Sequence, residues 1–136
     1  MFLGEYQAAF TGKGRVILPK KMRDAISGKE LILSRGFEEC IFGYDLINWE
    51  IETKKQLEIS TTEERARYLR RYLFSASVSV ELDSQGRFII PSALLKYAKL
   101  GREIVIIGAG DHFEVWNNNF WKKHLKIIEG EYARVS

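Results

Sequence analysis

Two segments of the chain, 72 residues apart, present a glycine followed by an arginine in the same setting. TGKGRVILP covers Thr11–Pro19 and DSQGRFIIP covers Asp83–Pro91. The planar fork of an arginine can bind guanine O6/N7 or a phosphate through two parallel hydrogen bonds. The preceding glycine permits a tight turn and a close approach of backbone to phosphate. Each segment therefore indicates a hairpin tip that could enter a DNA groove, or, alternatively, a turn whose arginine is merely solvated.

The charge is unevenly distributed between the two segments. From Thr11 to Arg23 the chain has five basic residues and no acidic one, whereas Asp83–Leu95 carries only Asp83 and Arg87 and is formally neutral. We therefore expect the first turn to dominate long-range attraction to phosphate. The net charge of +3 agrees with a polyanionic partner but is weak evidence alone.

Roles for the candidate DNA-binding residues follow from their types. Lys13 and Arg15 are expected to contact base edges and phosphates, and Gly14 to allow the close approach. Gln85, Gly86 and Arg87 would act in the second turn, toward DNA or toward structure. Less specific phosphate contacts would come from three residues beyond the first turn: Lys20, Lys21 and Arg23.

Other chemistries find little support in the sequence. The glycines lack the spacing of a nucleotide-binding loop, and G-x-G-x-x-G is absent. The two histidines, His112 and His124, and the single cysteine, Cys40, form no metal-binding pattern. We therefore expect no enzyme activity, no catalytic residue, no metal, no cofactor and no small-molecule substrate.

The cellular setting is also suggested by composition. A lone cysteine excludes an intrachain disulfide and is typical of a reduced cytosolic protein. No apolar run approaches the ~20 residues of a membrane span, and the N-terminus lacks the basic region of a signal peptide. The expectation is a cytoplasmic protein without a membrane partner.

The repeat continues beyond the turns and predicts the elements that position them. Proline suits the first helical position, so each segment should lead into a helix of about two turns that ends near a glycine, Gly28 or Gly101. A strand is expected on each side of each turn, with the clearest alternation at Val78, Val80 and Leu82. Four further strands are expected after the short helices: Leu31–Leu33, Cys40–Tyr44, Ile104–Ile107 and His112–Trp116. Longer helices should follow near Trp49 and Trp121, capped by Asp45 and by Asn117 or Asn118. The repeated aromatic residues are interpreted as core or helix-packing residues rather than as a base-stacking platform: Tyr44, Trp49, Trp116 and Trp121.

A further helix is predicted between the two units. Ser60 and Glu63 have the spacing of a capping box, which predicts a helix over Thr61–Leu73. At 100° per residue, one side would carry Tyr68, Leu69, Tyr72 and Leu73, and the other Arg67, Arg70 and Arg71. The arginines could face DNA, solvent or another subunit.

These elements predict a mainly β fold with short α-helices. Each unit has only ~60 residues, which is marginal for independent folding. We therefore expect one compact domain over residues 1–136, with repeats at 1–59 and 75–136 and a linking helix at 60–74. Both repeats would contribute strands to one barrel, and a pseudo-twofold axis would place the two turns in equivalent positions.

The doubled glycine–arginine turn, each followed by an apolar run and proline, resembles the MraZ family of bacterial transcriptional regulators. So do the start MF-x-G and the E-V-W sequence at Glu114–Trp116 followed by Trp121. The resemblance implies an AbrB-like swapped-hairpin, double-split β-barrel and sequence-specific binding of double-stranded DNA. It also implies homo-oligomeric rings and repression of the division and cell-wall gene cluster, including the protein's own gene. Nucleoid association would follow from DNA binding.

One position departs from the family pattern. The second turn keeps the aspartate, as Asp83, but Thr11 stands where the family usually has one. Asp83 is expected to orient Arg87 through a local ion pair, whereas Thr11 offers only a local hydrogen bond. We expect Arg15 to be the freer arginine.

Two alternatives remain open at this point. A ring-forming structural or interaction protein could use the same barrel to bind another protein. An antitoxin-like regulator of the same fold would need a toxin partner.

Overall fold

Eight strands and five helices alternate along residues 1–135, the part of the chain that the computed structural model describes. The strands are β1 (Glu5–Gly12), β2 (Arg15–Ile17), β3 (Glu30–Arg35), β4 (Ile41–Asp45), β5 (Val78–Glu81), β6 (Arg87–Ile89), β7 (Glu103–Gly108) and β8 (Phe113–Asn117). The helices are α1 (Lys20–Arg23), α2 (Leu46–Leu57), α3 (Glu64–Phe74), α4 (Ser92–Tyr97) and α5 (Asn118–Val135). The expected mainly β class with short helices is confirmed. The strands predicted beside the turns correspond to β1, β2, β5 and β6, and the four predicted after the short helices correspond to β3, β4, β7 and β8.

The strands form one antiparallel sheet in the order β5-β3-β4-β8-β7-β1-β2-β6. Each strand of the first half has a counterpart in the second: β5 for β1, β6 for β2, β7 for β3 and β8 for β4. When counterparts are exchanged, the β1–β7 pairing becomes the β5–β3 pairing, and the β4–β8 and β2–β6 pairings are unchanged. Between β5 and β6, the backbone N–H of Asp83 donates to the carbonyl of Arg87 at 2.9 Å. The sheet is therefore a nearly closed, duplicated barrel.

Two strand pairs mark the pseudo-twofold axis. Val16 pairs with Phe88 between β2 and β6, and Phe42 pairs with Glu114 between β4 and β8. The members of each pair are 72 residues apart, so each residue lies opposite its own counterpart. The expected symmetry is confirmed. The strands that follow the two turns pair with each other, which is the swapped arrangement of a double-split barrel.

The core draws residues from both halves. Val16 and Leu18 in the first half and Phe88 and Ile90 in the second are fully buried in one cluster with Phe113. Burial of a large apolar side chain contributes about 1.5–3 kcal/mol. Since this cluster joins residues of β2 and β6, the pairing of the two strands is part of the core itself.

The ends of the short helices differ in detail from expectation. Pro19 stands at the N-cap of α1, where its carbonyl accepts from Met22 and Arg23, so it precedes the first helical residue. The helix itself covers only Lys20–Arg23, about one turn. In the second half, Lys99 rather than Gly101 takes the left-handed conformation that ends α4, with φ of 51°.

The linking helix begins later than predicted. It covers Glu64–Phe74 with Glu63 at the N-cap, and no side-chain cap is formed there. The hydroxyl of Ser60 instead accepts from the N–H of Thr62 at 3.2 Å. Arg67 donates to the carbonyls of Thr61 and Thr62, which lie before the first helical residue. The predicted capping box is therefore wrong.

The predicted faces of this helix are only partly correct. Leu69, Tyr72 and Leu73 are half-buried, but Tyr68 is exposed and Ala66 is the buried residue. Arg70 donates to the carbonyls of Leu57 and Ile59. Arg67 and Arg70, two of the three arginines expected on the outer face of α3, are thus hydrogen-bonded to the connection between α2 and α3.

The longer helices pack on the sheet through their aromatic residues. Trp116 and Trp121 are buried in a second cluster that includes Cys40, and Trp49 contacts Tyr44 with ring centroids 5.4 Å apart. The interpretation of these rings as core or helix-packing residues is confirmed: Tyr44, Trp116 and Trp121 are buried, and Trp49 is half-buried between helix and sheet. Asp45 caps α2 by accepting from the N–H of Asn48, and the Asn117 side chain accepts from Asn119 and Phe120 at the start of α5. Within residues 1–135, no helix combines the length and apolar character that crossing a membrane requires.

Candidate nucleic-acid interface

The first glycine–arginine turn joins β1 to β2. Gly14 has φ of 71°, and a Cβ atom there would lie 2.8 Å from the backbone oxygen of Ile90. Both the backbone conformation and the available space therefore require glycine. Lys13 and Arg15 flank it with exposed side chains.

The second turn has the same backbone but a different lining. Gly86 has φ of 77°, and a Cβ atom there would lie 2.3 Å from Cδ of Arg23. Asp83 Oδ1 accepts from the N–H groups of Gln85 and Arg87, each at 2.9 Å. Gln85 is exposed at the tip. The carboxylate thus fixes the loop from within, as a turn aspartate commonly does.

The expected ion pair between Asp83 and Arg87 is present. Asp83 Oδ2 accepts from Nε of Arg87 at 2.7 Å. The hydrogen bond from the Arg87 backbone N–H is the largest of several effects that lower the pKa of Asp83 below its ordinary value, and the guanidinium adds to it. Part of the Arg87 fork is therefore engaged inside the turn.

Thr11 replaces that carboxylate in the first turn with a weaker contact. Its hydroxyl donates to the carbonyl of Arg15 at 3.4 Å, near the limit of a hydrogen bond. Within the described residues Arg15 forms no ion pair. The two arginines thus occupy the same place in the repeat with different freedom.

Reciprocal hydrogen bonds tie the two turns together. The carbonyl of Gly14 accepts from the N–H of Ile90 at 2.7 Å, and the carbonyl of Gly86 accepts from the N–H of Leu18 at 2.9 Å. Each turn is thereby fixed to the strand end that leaves the other turn. A ligand that contacts one turn therefore meets a rigid unit containing both.

The paired strands β2 and β6 form a two-stranded ribbon with distinct inner and outer faces. Val16 and Phe88 point into the core, whereas Ile17 and Ile89 are 43% and 50% exposed. Side chains alternate along a strand, so Arg15 shares the outer face with Ile17, and Arg87 shares it with Ile89. We call this outer face, made of Arg15, Ile17, Arg87 and Ile89, the ribbon face.

The basic run that follows the first turn is shared between the two turns. Arg23, in α1, lies against Gly86, and its Nη1 donates to the carbonyl of Gln85 at 3.3 Å. At the equivalent position of the second repeat, Leu95 packs near Gly14. The strand exchange therefore places α1 beside the second turn, although it follows the first turn in sequence.

This placement changes the expected charge distribution. Lys13 and Arg15 remain at the first turn, but Arg23 is half-buried on the second, where its Nη1 binds the loop carbonyl of Gln85. Lys20 and Lys21 are exposed on α1. Of the five basic residues in this run, Arg23 is thus shared with the second turn. That the first turn dominates long-range attraction to phosphate stays a prediction.

Sequence reasoning missed Ile17 and Ile89 as members of this surface. The segments RVIL and RFII contain only apolar residues after the arginine, which hides the alternation of inner and outer positions. The signal was available, because a strand with Arg15 outside must also have Ile17 outside.

The remaining candidate chemistry lies elsewhere. His112 sits between Asp111 and Glu114, and among residues 1–135 no group of histidine, cysteine and carboxylate side chains has an arrangement that could hold a metal ion. Burial raises the pKa of the Cys40 thiol above its ordinary value, and the carboxylate of Glu114 adds to this, so the thiolate is disfavoured.

Comparison with known proteins agrees with the duplicated geometry. A family model described as "MraZ protein, putative antitoxin-like" matches the chain twice, over residues 1–72 and 73–132. A protein of Limosilactobacillus fermentum named Transcriptional regulator MraZ is 38% identical over 136 residues, covering 100% of this chain and 94% of that protein. One of the same name from Desulfitobacterium hafniense is 35% identical with the same coverage. A third, from Caldicellulosiruptor bescii, is 38% identical over 125 residues, 92% of this chain and 87% of its own length. With two matching repeats and relatives aligned over the whole barrel, the chain belongs to the MraZ family.

Proposed function

We propose that this protein is a transcriptional regulator that binds specific double-stranded DNA sequences through the ribbon face and the two turns beside it. The observation that carries the proposal is the juxtaposition of two glycine–arginine turns on one rigid ribbon with outward-facing arginines. The relatives' name, transcriptional regulator, describes a class of protein that is not an enzyme class.

A two-stranded ribbon is an element that a DNA groove can admit. The major groove of B-DNA is about 12 Å wide and admits a two-stranded β-ribbon. In this mechanism Arg15 and Lys13 contact bases and phosphates from the first turn, and Gly14 lets the backbone approach closely. Gln85 contacts the DNA from the tip of the second turn, beside Gly86.

The other basic residues have supporting roles. The guanidinium nitrogens of Arg87 that do not bind Asp83 contact the DNA. Lys20 and Lys21 contact phosphates without reading sequence. Arg23 acts through Gln85, whose carbonyl it holds, and contributes positive charge to the same face.

The same proposal includes an assembly and a target. Residues 1–59 and 75–136 form two repeats of one domain joined by the segment 60–74, and several such domains form a ring. A ring repeats the ribbon at fixed spacing, which matches repeated short sites and raises affinity through effective concentration. The target is the division and cell-wall gene cluster including the protein's own gene, which the protein represses in the cytoplasm at the nucleoid.

The family description favours one second candidate, an antitoxin-like regulator. On that reading the protein would also bind and neutralise a toxin. Co-purification of a stoichiometric toxin whose activity is lost on binding would support it, and failure of any co-expressed neighbouring gene product to bind would oppose it.

A titration of the duplex upstream of the protein's own gene tests the main proposal. Binding is measured by fluorescence anisotropy against a scrambled duplex of equal length at several salt concentrations. We expect tighter binding to the upstream duplex at every salt concentration, with affinity falling linearly on logarithmic axes as phosphate contacts release counterions. Equal binding of the two duplexes would contradict sequence-specific recognition.

A further inference from the structure

The exposed isoleucines of the ribbon face are placed as a symmetric pair. Ile17 lies opposite Arg87, and Ile89 lies opposite Arg15, on either side of the Val16–Phe88 pair at the axis. Single exposed apolar residues are common on protein surfaces. Here, however, each of two large apolar side chains lies opposite an arginine on the surface that carries the proposed function.

The arginines identify the kind of occupant that fits this surface. Arg15 is exposed without an ion pair among residues 1–135, and Arg87 is half-buried beside Asp83. An apolar protein surface placed here would have to desolvate the Arg15 guanidinium without a partner for it. The floor of the DNA major groove instead offers guanine oxygen and nitrogen acceptors beside an apolar group, the C5-methyl of thymine.

The geometry points to Ile17 and Ile89 as specificity-determining residues that contact the C5-methyl groups of two thymines on opposite strands of the DNA target. This inference rests on the proposed function. The protein pseudo-twofold axis between β2 and β6 aligns with a local twofold axis of the duplex, so that the two isoleucines meet the two strands in the same way.

Strand geometry sets the spacing of the two thymines. Diagonal neighbours on an antiparallel pair are about 7–8 Å apart. Successive base pairs of B-DNA are about 3.4 Å apart. Ile17 and Ile89 therefore reach thymines roughly two base-pair steps apart, flanked by guanines that Arg15 and Arg87 can contact.

Removing one methyl group at a time from the DNA tests this inference. A duplex selected by the wild-type protein from a random-sequence library is compared with versions in which single thymines are replaced by deoxyuridine, which lacks only the methyl group. Burial of one methyl-sized group corresponds to about a fourfold change in affinity per engaged chain. We expect two symmetry-related thymines per engaged chain to show this loss and the other thymines to show none.

Two protein variants show which isoleucine contacts which thymine methyl group. Ile17→Ala should weaken binding to the thymine duplex by a similar factor and abolish sensitivity to one of the two methyls, and Ile89→Ala should abolish sensitivity to the other. Ile59→Ala is the control, because Ile59 is 45% exposed on the connection between α2 and α3. It should keep the affinity and methyl sensitivity of the wild type.

The outcomes separate this inference from the function on which it rests. If the wild-type protein prefers the selected duplex over a scrambled one but tolerates every deoxyuridine, the isoleucine contacts are wrong and the regulator proposal stands. If Ile17→Ala keeps full methyl sensitivity while light scattering shows a changed mass, the ribbon face contacts another subunit and the inference is overturned. If the wild-type protein shows no sequence preference, both proposals fall.

Discussion

At the residue scale, Arg15 and Arg87 show how one motif acquires two roles. Both follow a glycine in the left-handed region and both lie on the ribbon face. Asp83 accepts from Nε of Arg87, whereas Thr11 offers Arg15 only a hydroxyl that donates to its carbonyl. One arginine is therefore partly structural, and the other is free to use its whole fork.

This difference predicts distinct effects of the two alanine substitutions. Arg15→Ala should leave the free energy of unfolding nearly unchanged and weaken specific DNA binding by about 1–3 kcal/mol per engaged turn, the range for a bidentate base contact. Arg87→Ala should lower the melting temperature, because Asp83 loses the charge that it faces. Thermal unfolding followed by circular dichroism, together with anisotropy titrations, measures both quantities.

A conservative variant separates charge from geometry in the same experiment. Arg15→Lys keeps the positive charge but loses the planar fork. It should therefore retain scrambled-DNA binding and lose most of the preference for the specific duplex. The asymmetry would be wrong if folded Arg15→Ala bound specific DNA like the wild type while Arg87→Ala did not.

At the element scale, His112 connects the start of β8 to β4. Its Nδ1 lies 2.8 Å from Asp111 Oδ1 and its Nε2 lies 2.9 Å from Glu114 Oε2. Its ring stacks on Tyr44 of β4 with centroids 5.1 Å apart. Burial disfavours the charged imidazole, but hydrogen bonds to Glu114 and Asp111 outweigh it and raise the pKa of His112 above its ordinary value.

The raised pKa of His112 predicts how stability depends on pH. The folded state holds this proton more tightly than the unfolded state, so its stabilisation is complete below the ordinary pKa of about 6.5. It is lost as pH rises through the higher folded-state pKa. We expect the melting temperature to fall above about pH 6.5 in the wild type and to fall less in His112→Gln. His124→Gln is the control, and equal pH profiles for wild type and His112→Gln would contradict the prediction.

The elements also show what sequence patterns could and could not predict. The strands around Leu33 and Ile106 were predictable, because short apolar runs between glycines recur in both halves. The linking helix was misplaced, because Ser60 and Glu63 have the right spacing for a capping box. In the structure, the side chains of Arg67 and Arg70 instead donate to backbone carbonyls of the connection that precedes the helix. The spacing of residue types in the sequence does not predict such side-chain contacts.

At the scale of the whole molecule, the repeat predicted the symmetry but not which parts become neighbours. The spacing of 72 residues placed both turns in equivalent positions. The repeat did not predict that α1 lies against Gly86. Because α1 follows the first turn in sequence, the sequence suggested that it would lie beside that turn. Because strands are exchanged between the halves, Arg23 lies away from Arg15 and donates a hydrogen bond to the carbonyl of Gln85. The charge of the site is therefore a property of the assembled barrel.

The outer helices extend the same reasoning to assembly. On α2, Ile47 and Ile51 are each 53% exposed and four residues apart, so they lie on one face of the helix. On α5, Ile127 is 61% exposed. Apolar residues aligned on helices that cover the barrel suit contacts between copies, and closed rings arise when such contacts repeat by rotation.

Ile51→Glu should therefore break the proposed ring by placing a charge in an apolar contact. Light scattering of the wild type at micromolar concentration should give a multiple of 15.8 kDa, and the variant should approach 15.8 kDa itself. Glu50→Gln, on the same helix, is the control and should keep the wild-type mass. Because the ribbon face is unchanged, the variant should still prefer a single specific site, but it should lose the gain in affinity on repeated sites that linked ribbons provide. A wild-type mass of 15.8 kDa would contradict the ring, and an unchanged mass for Ile51→Glu would move the contact away from this face of α2.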